Sequence, residues 1–585
     1  MDLYFALLSF LSIFVISEAA IVFTERGFVE GSVRTTEAGV QYHSFQGIPY
    51  ARPPIGGLRF RDAIPPAHWR LQAPLNCTVE GPPFWGIGAA QPSFDSLHVN
   101  VYTNDLNPPT PYPVMVWIHG GGWQSGSGGT QFYGPDYLVE QNVTIVTMNY
   151  RLLAFGFLSL DDPDLYVPGN QAFKDQRMAL RWVQRNIAYF GGDPNQVTLF
   201  GQSSGGGSVH YHMISESSRG LFHRAILMAG SALHNGYSVV PRNNWAQRLA
   251  SSLNFQSTNE REILTFLENA PPADIVLASS LLLTQSEIND GLILAFGPTI
   301  EPYDTEGVFL NDDIPTLVRN AWGNNINMLI GGTSMETLDT LQFIRLGGAF
   351  LDFFANFGFY IPRELELNRT GEEALGHAQR LQENYYGQLI PTVTNADGML
   401  FALADSYLWF PAHRTVRYRM QSQQDAHTFV YRFDADSQNN VFREILVGVD
   451  LYRQPTHGDD LAHLFKTVLH MPRVNMNQLS LNTLNLMVSL FTNFAKTGNP
   501  NDDPENPFWY SIEQFQEAGN LEQDVYLVGY NIKENSTSFG TLPEAATVRT
   551  HDVVFGAVAL SNAETFLTLG IIKLSLLVAM KYLAF

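Results

Sequence analysis

Ser203 lies at the centre of Gly201-Gln202-Ser203-Ser204-Gly205, directly after the β-prone run Gln196-Val197-Thr198-Leu199-Phe200 and before the small residues Gly206-Gly207-Ser208. A strand that turns sharply into a helix lifts the central side chain clear of the backbone. Glycine two positions to either side removes the Cβ atoms that would block such a turn. A hydroxyl presented in this way is a nucleophile for attack on an acyl carbon. The same five residues also suit an ordinary tight turn, so the other groups this chemistry requires must be found elsewhere in the chain.

Acyl transfer needs donors for the oxyanion, a base for the hydroxyl and an acid to orient the base. Upstream, the apolar run 113–118 leads into His119-Gly120-Gly121-Gly122-Trp123. Three successive glycines let backbone N–H groups converge on one spot, and the N–H of Ser204, next after the nucleophile, is the partner donor. The chain order nucleophile, acid, histidine places the base late, where Thr456-His457-Gly458-Asp459-Asp460-Leu461 offers His457. Between them Glu336 follows the apolar run Asn327-Met328-Leu329-Ile330, and a carboxylate at a strand end can hold an imidazole and stabilise its protonated form. Asp339, three residues on, is the second candidate for the acid.

The elements that must hold these groups follow from the apolar pattern. Buried-strand runs at 113–118, 144–150, 197–200 and 225–228 alternate with helix-length segments, and 174–183 is apolar at helical spacing. Near-continuous apolar strands separated by helices predict an α/β fold with a mostly parallel sheet covered on both faces. Residues 340–450 read as helices and loops rich in Phe and Leu, expected as a cap over the site. No linker divides residues 21–550. With 585 residues, 45% of them hydrophobic, the chain can bury a large core. Its 34 basic against 56 acidic residues give a net charge of −22, which argues against nucleic acid and anionic membrane surfaces as partners.

Both ends carry features of targeting. Residues 4–16 are apolar and precede Ser17-Glu18-Ala19-Ala20, so 1–19 is expected to be a signal peptide, 20–555 the mature domain and 556–585 a hydrophobic tail. The apolar side chains of 566–585 would surround a helix axis, so an amphipathic docking helix is a poor account of the tail. Lys573 in a permanent span costs about 3 kcal/mol, whereas a GPI-attachment signal needs only such a tail below small residues like Gly556-Ala557 or Ser561-Asn562-Ala563. A transmembrane tail and a retained soluble tail stay open beside it. Sequons at Asn76, Asn142, Asn368 and Asn535 suit glycosylation in the secretory pathway and an extracellular, secreted or cell-surface-anchored protein, although Asn142 lies close to a strand.

Over residues 22 to 545 the chain resembles the type-B carboxylesterases, the family that includes cholinesterases and juvenile hormone esterases. The resemblance rests on the segments above together with Gly47-Ile48-Pro49-Tyr50-Ala51-Arg52-Pro53-Pro54, Asn149-Tyr150-Arg151-Leu152, Lys174-Asp175-Gln176, Phe190-Gly191-Gly192-Asp193-Pro194 and Arg219-Gly220-Leu221-Phe222-His223-Arg224-Ala225-Ile226. It implies an α/β-hydrolase fold and a serine carboxylic-ester hydrolase working through an acyl-enzyme on small-molecule esters, without metal or organic cofactor. It further implies Ser203, Glu336 and His457 as the triad, Gly121, Gly122 and Ser204 as oxyanion donors, and Ser231 behind the triad. His223, His463 and Trp182 are read as packing residues. The rival class is a catalytically silent, neuroligin-like adhesion protein, which the retained serine and oxyanion loop argue against.

The chain departs from this family in three places. Gln202 stands where the family commonly has an acid; juvenile hormone esterases typically carry Gly-Gln-Ser-Ala-Gly, so Gln202 points to a neutral, lipid-like ester, while Ser204 departs from that pattern too. Two disulfides usual in the family lose both partners here, at Phe84 and Ser96 and at Phe255 and Phe266, and Phe255 against Phe266 is the expected replacement contact. The lone Cys77 is left as a buried, reactive or intermolecular thiol. The loop 84–96 is short, with Trp85 at the wrong end to stack on choline. With the aromatic run Phe350-Leu351-Asp352-Phe353-Phe354, this favours uncharged apolar esters, juvenile-hormone-like or xenobiotic, over choline esters.

Overall fold

Strand β6 (Tyr112–Ile118) shows how the sheet is covered: Val114, Val116 and Ile118 belong to one buried cluster and Met115 and Trp117 to another, one on each face. Period-two side chains that are apolar on both sides demand a layer above and a layer below. The computed structural model describes residues 20–69, 73–234, 239–361, 370–422, 425–447, 452–503, 509, 511–517, 530–531 and 536–537. The leader 1–19 and the tail 556–585 lie outside the described residues, as do Asn368 and Asn535.

The strands are β1 (Ala20–Thr24), β2 (Gly27–Thr35), β3 (Gln41–Pro49), β4 (Leu75–Asn76), β5 (His98–Thr103), β6 (Tyr112–Ile118), β7 (Thr144–Met148), β8 (Gly192–Gln202), β9 (Arg224–Met228), β10 (Asn327–Thr333), β11 (Thr428–Phe433), β12 (Tyr530–Asn531) and β13 (Ser536–Thr537). They form one sheet in the order β1-β2-β3-β5-β7-β6-β8-β9-β10-β11-β12-β13, with β4 paired to β2. From β7 to β12 neighbours run parallel, while the β1–β2–β3–β5–β7 edge is antiparallel. Four expected strands coincide with β6, β7, β8 and β9, and the helix expected over 174–183 is the middle of a longer one.

The helices that matter to the site are α1 (Gln171–Asn186), α2 (Ser204–Ile214), α3 (Glu372–Tyr386), α4 (Asp397–Ala404), α5 (Phe410–Gln421) and α6 (Gln478–Thr497). Phe173 and Leu180 of α1 and Val209 and Tyr211 of α2 join the cluster on one face of the sheet, and Leu484, Met487 and Phe491 of α6 join the other. A third cluster holds the cap together around Phe357, Leu381, Met399 and Leu403. Between α4 and α5 the chain winds through a π turn, Asp405–Trp409. Such turns insert one extra residue into a helix and re-aim the side chains on it.

The lost disulfides are replaced by aromatic contacts. Phe255 and Phe266 stack at 4.5 Å with 5° between their planes, and Phe84 meets Phe94 edge-on at 5.8 Å. Cys77 is buried and burial pushes its thiol up to about 12, so it is neither reactive nor intermolecular. Asn76 and Asn142 are exposed. Asn142 stands on a left-handed turn (φ 57°) just ahead of β7, its side-chain oxygen accepting from Asn104 Nδ2 at 2.8 Å. Among the described residues, no helix is long and apolar enough to cross a membrane.

Candidate active site

Ser203 occupies the single residue between the end of β8 and the start of α2, with φ 60° and ψ −128°. A non-glycine residue rests there only when its surroundings over-determine it. Its N–H donates to the Met228 carbonyl at 2.8 Å, and its own carbonyl accepts from Gly207 N–H at 2.9 Å. A Cβ at Gly201 would lie 2.6 Å from the Gly205 carbonyl, and one at Gly205 would run into the Ile118 carbonyl of the neighbouring strand. The glycines therefore let the elbow close against β6.

The loop after β6 brings the glycine run beside Ser203. Gly121 (φ 112°) and Gly122 (φ 64°) adopt conformations that side chains resist. Among the described residues, the N–H groups of Gly121, Gly122 and Ser204 donate to no protein acceptor. Buried donors seldom remain so without a ligand to receive them. The loop is anchored by His119, whose ring stacks on Tyr150 at 4.3 Å and which burial pushes down to about 4, keeping it neutral.

Glu336 follows β10 and bonds His457 Nδ1 through Oε2 at 2.5 Å. Its other oxygen accepts from Thr333 N–H at 2.7 Å and from Thr333 Oγ1 at 2.8 Å, so the carboxylate is fixed from both ends. Asp339 also lines the cavity, its backbone N–H donating to Thr456 Oγ1 at 3.0 Å. Glu336 is thus the acid that holds the imidazole. On the opposite edge of the ring, Gln202 Nε2 lies 3.0 Å from His457 Nε2, an amide donor resting on the nitrogen that would take the serine proton.

Two carboxyls not singled out by sequence support the base. Asp459 braces its loop, accepting from Thr456 N–H at 2.7 Å, Phe442 N–H at 2.9 Å and Arg443 N–H at 3.2 Å. Asp460 accepts from the Tyr431 hydroxyl at 2.8 Å, and burial, aided by the Glu336 charge, pushes it up to about 7. Their adjacency to His457 in sequence was the only signal available.

Ser203, Glu336 and His457 line one cavity of about 550 Å³. Its apolar wall includes Ile87, Ala89, Phe132, Leu408, Phe442 and Leu446. The π turn contributes Tyr407 and Leu408, and Tyr407 packs at 4.7 Å on His234, which burial holds near 3 and therefore neutral. Nothing in the sequence pattern marked these cap residues.

Two expectations are corrected. Ser231 does not stand behind the triad: its hydroxyl bonds His210 Nδ1 at 3.0 Å and Thr415 Oγ1 at 3.0 Å, and among the described residues it bonds none of Ser203, Glu336 and His457. The chain turns at Ala229 (φ 48°), which seats Ser231 between α2 and α5. The run 350–354 does not line the cavity either. Phe350 packs on Phe343, and Phe353 on Phe354 and Phe359, because the cap must build its own core. His223 takes Val197 N–H at 3.2 Å, His463 bonds Ser437 Oγ at 2.8 Å, and Trp182 is buried against Phe190, so all three are packing residues as expected.

A parallel sheet with a serine elbow, a glycine donor loop and a carboxylate-held imidazole defines the α/β-hydrolase fold. Residues 18–539 match the profile of the Carboxylesterase family, and the chain belongs to that family. It is 38% identical over 490 residues to Esterase B1 of Culex pipiens, covering 83% of this chain and 89% of that one. It is 30% identical over 509 residues to Juvenile hormone esterase of Heliothis virescens, covering 84% and 87%. A solved structure of juvenile hormone esterase from Manduca sexta, with OTFP covalently attached, superposes with a TM-score of 0.78 at 28% identity, covering 92% of this chain and 100% of that one. The protein is a carboxylic ester hydrolase, and a silent adhesion role is not favoured.

Proposed function

We propose that the protein hydrolyses uncharged, apolar carboxylic esters through an acyl-enzyme on Ser203. His457 takes the serine proton at Nε2 as Oγ attacks the ester carbonyl, then returns it to the leaving alcohol. Water then attacks the acyl-enzyme with the same proton relay and releases the acid. Glu336 fixes the tautomer with the proton on Nδ1 and stabilises the imidazolium. The N–H groups of Gly121, Gly122 and Ser204 receive the oxyanion. The observation that carries this reading is the 2.5 Å bond from Glu336 to His457 in the cavity that also holds the strained Ser203.

Neutral substrates are favoured because an amide, Gln202, stands next to Ser203, His234 is a neutral imidazole, and the apolar walls outweigh the acidic side chains Glu80 and Asp339 on the same lining. The relatives named juvenile hormone esterase support a juvenile-hormone-like ester, and the relative named Esterase B1 supports esters as the substrate class. The test is a panel of short-chain nitrophenyl, isoprenoid methyl and choline esters with the wild-type protein and Ser203→Ala. Hydrolysis and organophosphate labelling should both vanish in the variant, and choline esters should be the poorest substrates. Undiminished turnover by Ser203→Ala would refute the nucleophile, and a preference for choline esters would refute the neutral-substrate reading. The leader 1–19 and the exposed sequons Asn76 and Asn142 support passage through the secretory pathway, and the apolar tail 556–585 suits GPI attachment, with a transmembrane tail and a retained soluble tail as its alternatives.

A further inference from the structure

An oxyanion hole works by donors that are already in place, so whatever holds the donor loop against the nucleophile helix acts on the rate. The loop from His119 to Trp123 and the helix that starts at Ser204 belong to different parts of the chain. Buried hydrogen bonds hold the loop at both ends: the Tyr150 hydroxyl donates to the His119 carbonyl at 2.8 Å, and Trp123 N–H donates to Ser204 Oγ at 3.2 Å, which joins the loop to the helix. All four residues are buried, and Trp123 sits at φ 56°, a conformation a tryptophan keeps only under constraint. The Trp123 bond closes the end of the donor loop, next after Gly122, onto the residue whose own N–H is the third donor.

We propose that the Ser204 hydroxyl is a positioning group for the oxyanion hole, tying Gly121 and Gly122 at a fixed distance from the Ser204 N–H. This rests on the acyl-enzyme reading above. Alanine at 204, the residue that juvenile hormone esterases typically carry there, would supply the same N–H without the tie. The indole Nε1 of Trp123 donates to Ser208 Oγ at 2.9 Å, so the loop keeps a second anchor on α2 when the first is cut. Ser204→Ala therefore loosens the donors without detaching the loop.

The experiment compares wild type, Ser204→Ala and Ser204→Thr, each verified as folded by circular dichroism. Loss of one buried hydrogen-bond link should lower kcat about tenfold with KM changed less than about twofold, the pattern of an interaction made only in the transition state. Affinity for a trifluoromethyl ketone, whose adduct places an oxyanion in the same hole, should fall by the same factor as kcat/KM. Ser204→Thr, which keeps a hydroxyl for the Trp123 N–H, should restore activity. Wild-type kcat and ketone affinity in Ser204→Ala, or a Ser204→Thr variant as impaired as Ser204→Ala, would overturn the tie. An inactive wild-type enzyme would instead bring down the esterase reading, and this inference with it.

Discussion

Glu336→Gln should slow turnover by about 10⁴-fold while leaving the fold intact, a loss comparable to that of other triads whose carboxylate becomes an amide. The structure divides this loss into two parts. The first is charge. Glu336 Oε2 stands 2.5 Å from His457 Nδ1, and Glu336 is 4% exposed. For charge centres about 4 Å apart at an effective dielectric of about 20, the imidazolium loses about 4 kcal/mol, or about 3 after screening at the partly exposed ring, worth about 10²-fold. The second part is the tautomer. Thr333 N–H and Oγ1 both donate to Glu336 Oε1, so the glutamine oxygen must take that place and its NH₂ must face His457. A donor opposite Nδ1 drives the ring proton to Nε2, where it blocks the lone pair that should accept from Ser203. The assay is kcat and kcat/KM on a nitrophenyl ester, with the melting temperature as control for folding. Activity within about tenfold of wild type would refute the argument, and a loss in Asp339→Asn as large as in Glu336→Gln would reassign the acid.

Two other outcomes are expected. Asp460 titrates near 7 in the folded protein against an ordinary 3.8, so the native state binds the extra proton between these values. Stability from this group is fully present below about pH 4 and is lost as pH rises through 7; Asp460→Asn should flatten that decline in Tm, and an unchanged slope would show that Asp460 is not its source. Phosphatidylinositol-specific phospholipase C should release esterase activity from expressing cells. Activity that stays membrane-bound with a tag after Phe585 still attached would refute GPI anchoring and favour a spanning tail.

What the sequence determined by itself is whatever is local or periodic. The elbow at 201–205, the glycines at 120–122 and the strands β6 to β9 were legible because each rests on sterics or alternation within a few residues. The order of Ser203, Glu336 and His457 along the chain followed from fold topology, since each stands just past the end of a sheet strand or on the loop that follows one. The tertiary structure alone decided which groups meet across the sheet and cap. Ser231 bonds His210 and Thr415 because of a turn at Ala229, and the run 350–354 closes on the cap's own core, so neither reaches the triad or the cavity. Tyr407 and Leu408 enter the cavity through a π turn that no apolar period announces. The Ser204 hydroxyl finds the Trp123 N–H 81 residues upstream. Hydrogen bonds between distant segments depend on backbone placement to within a few tenths of an ångström, and sequence spacing carries no record of it.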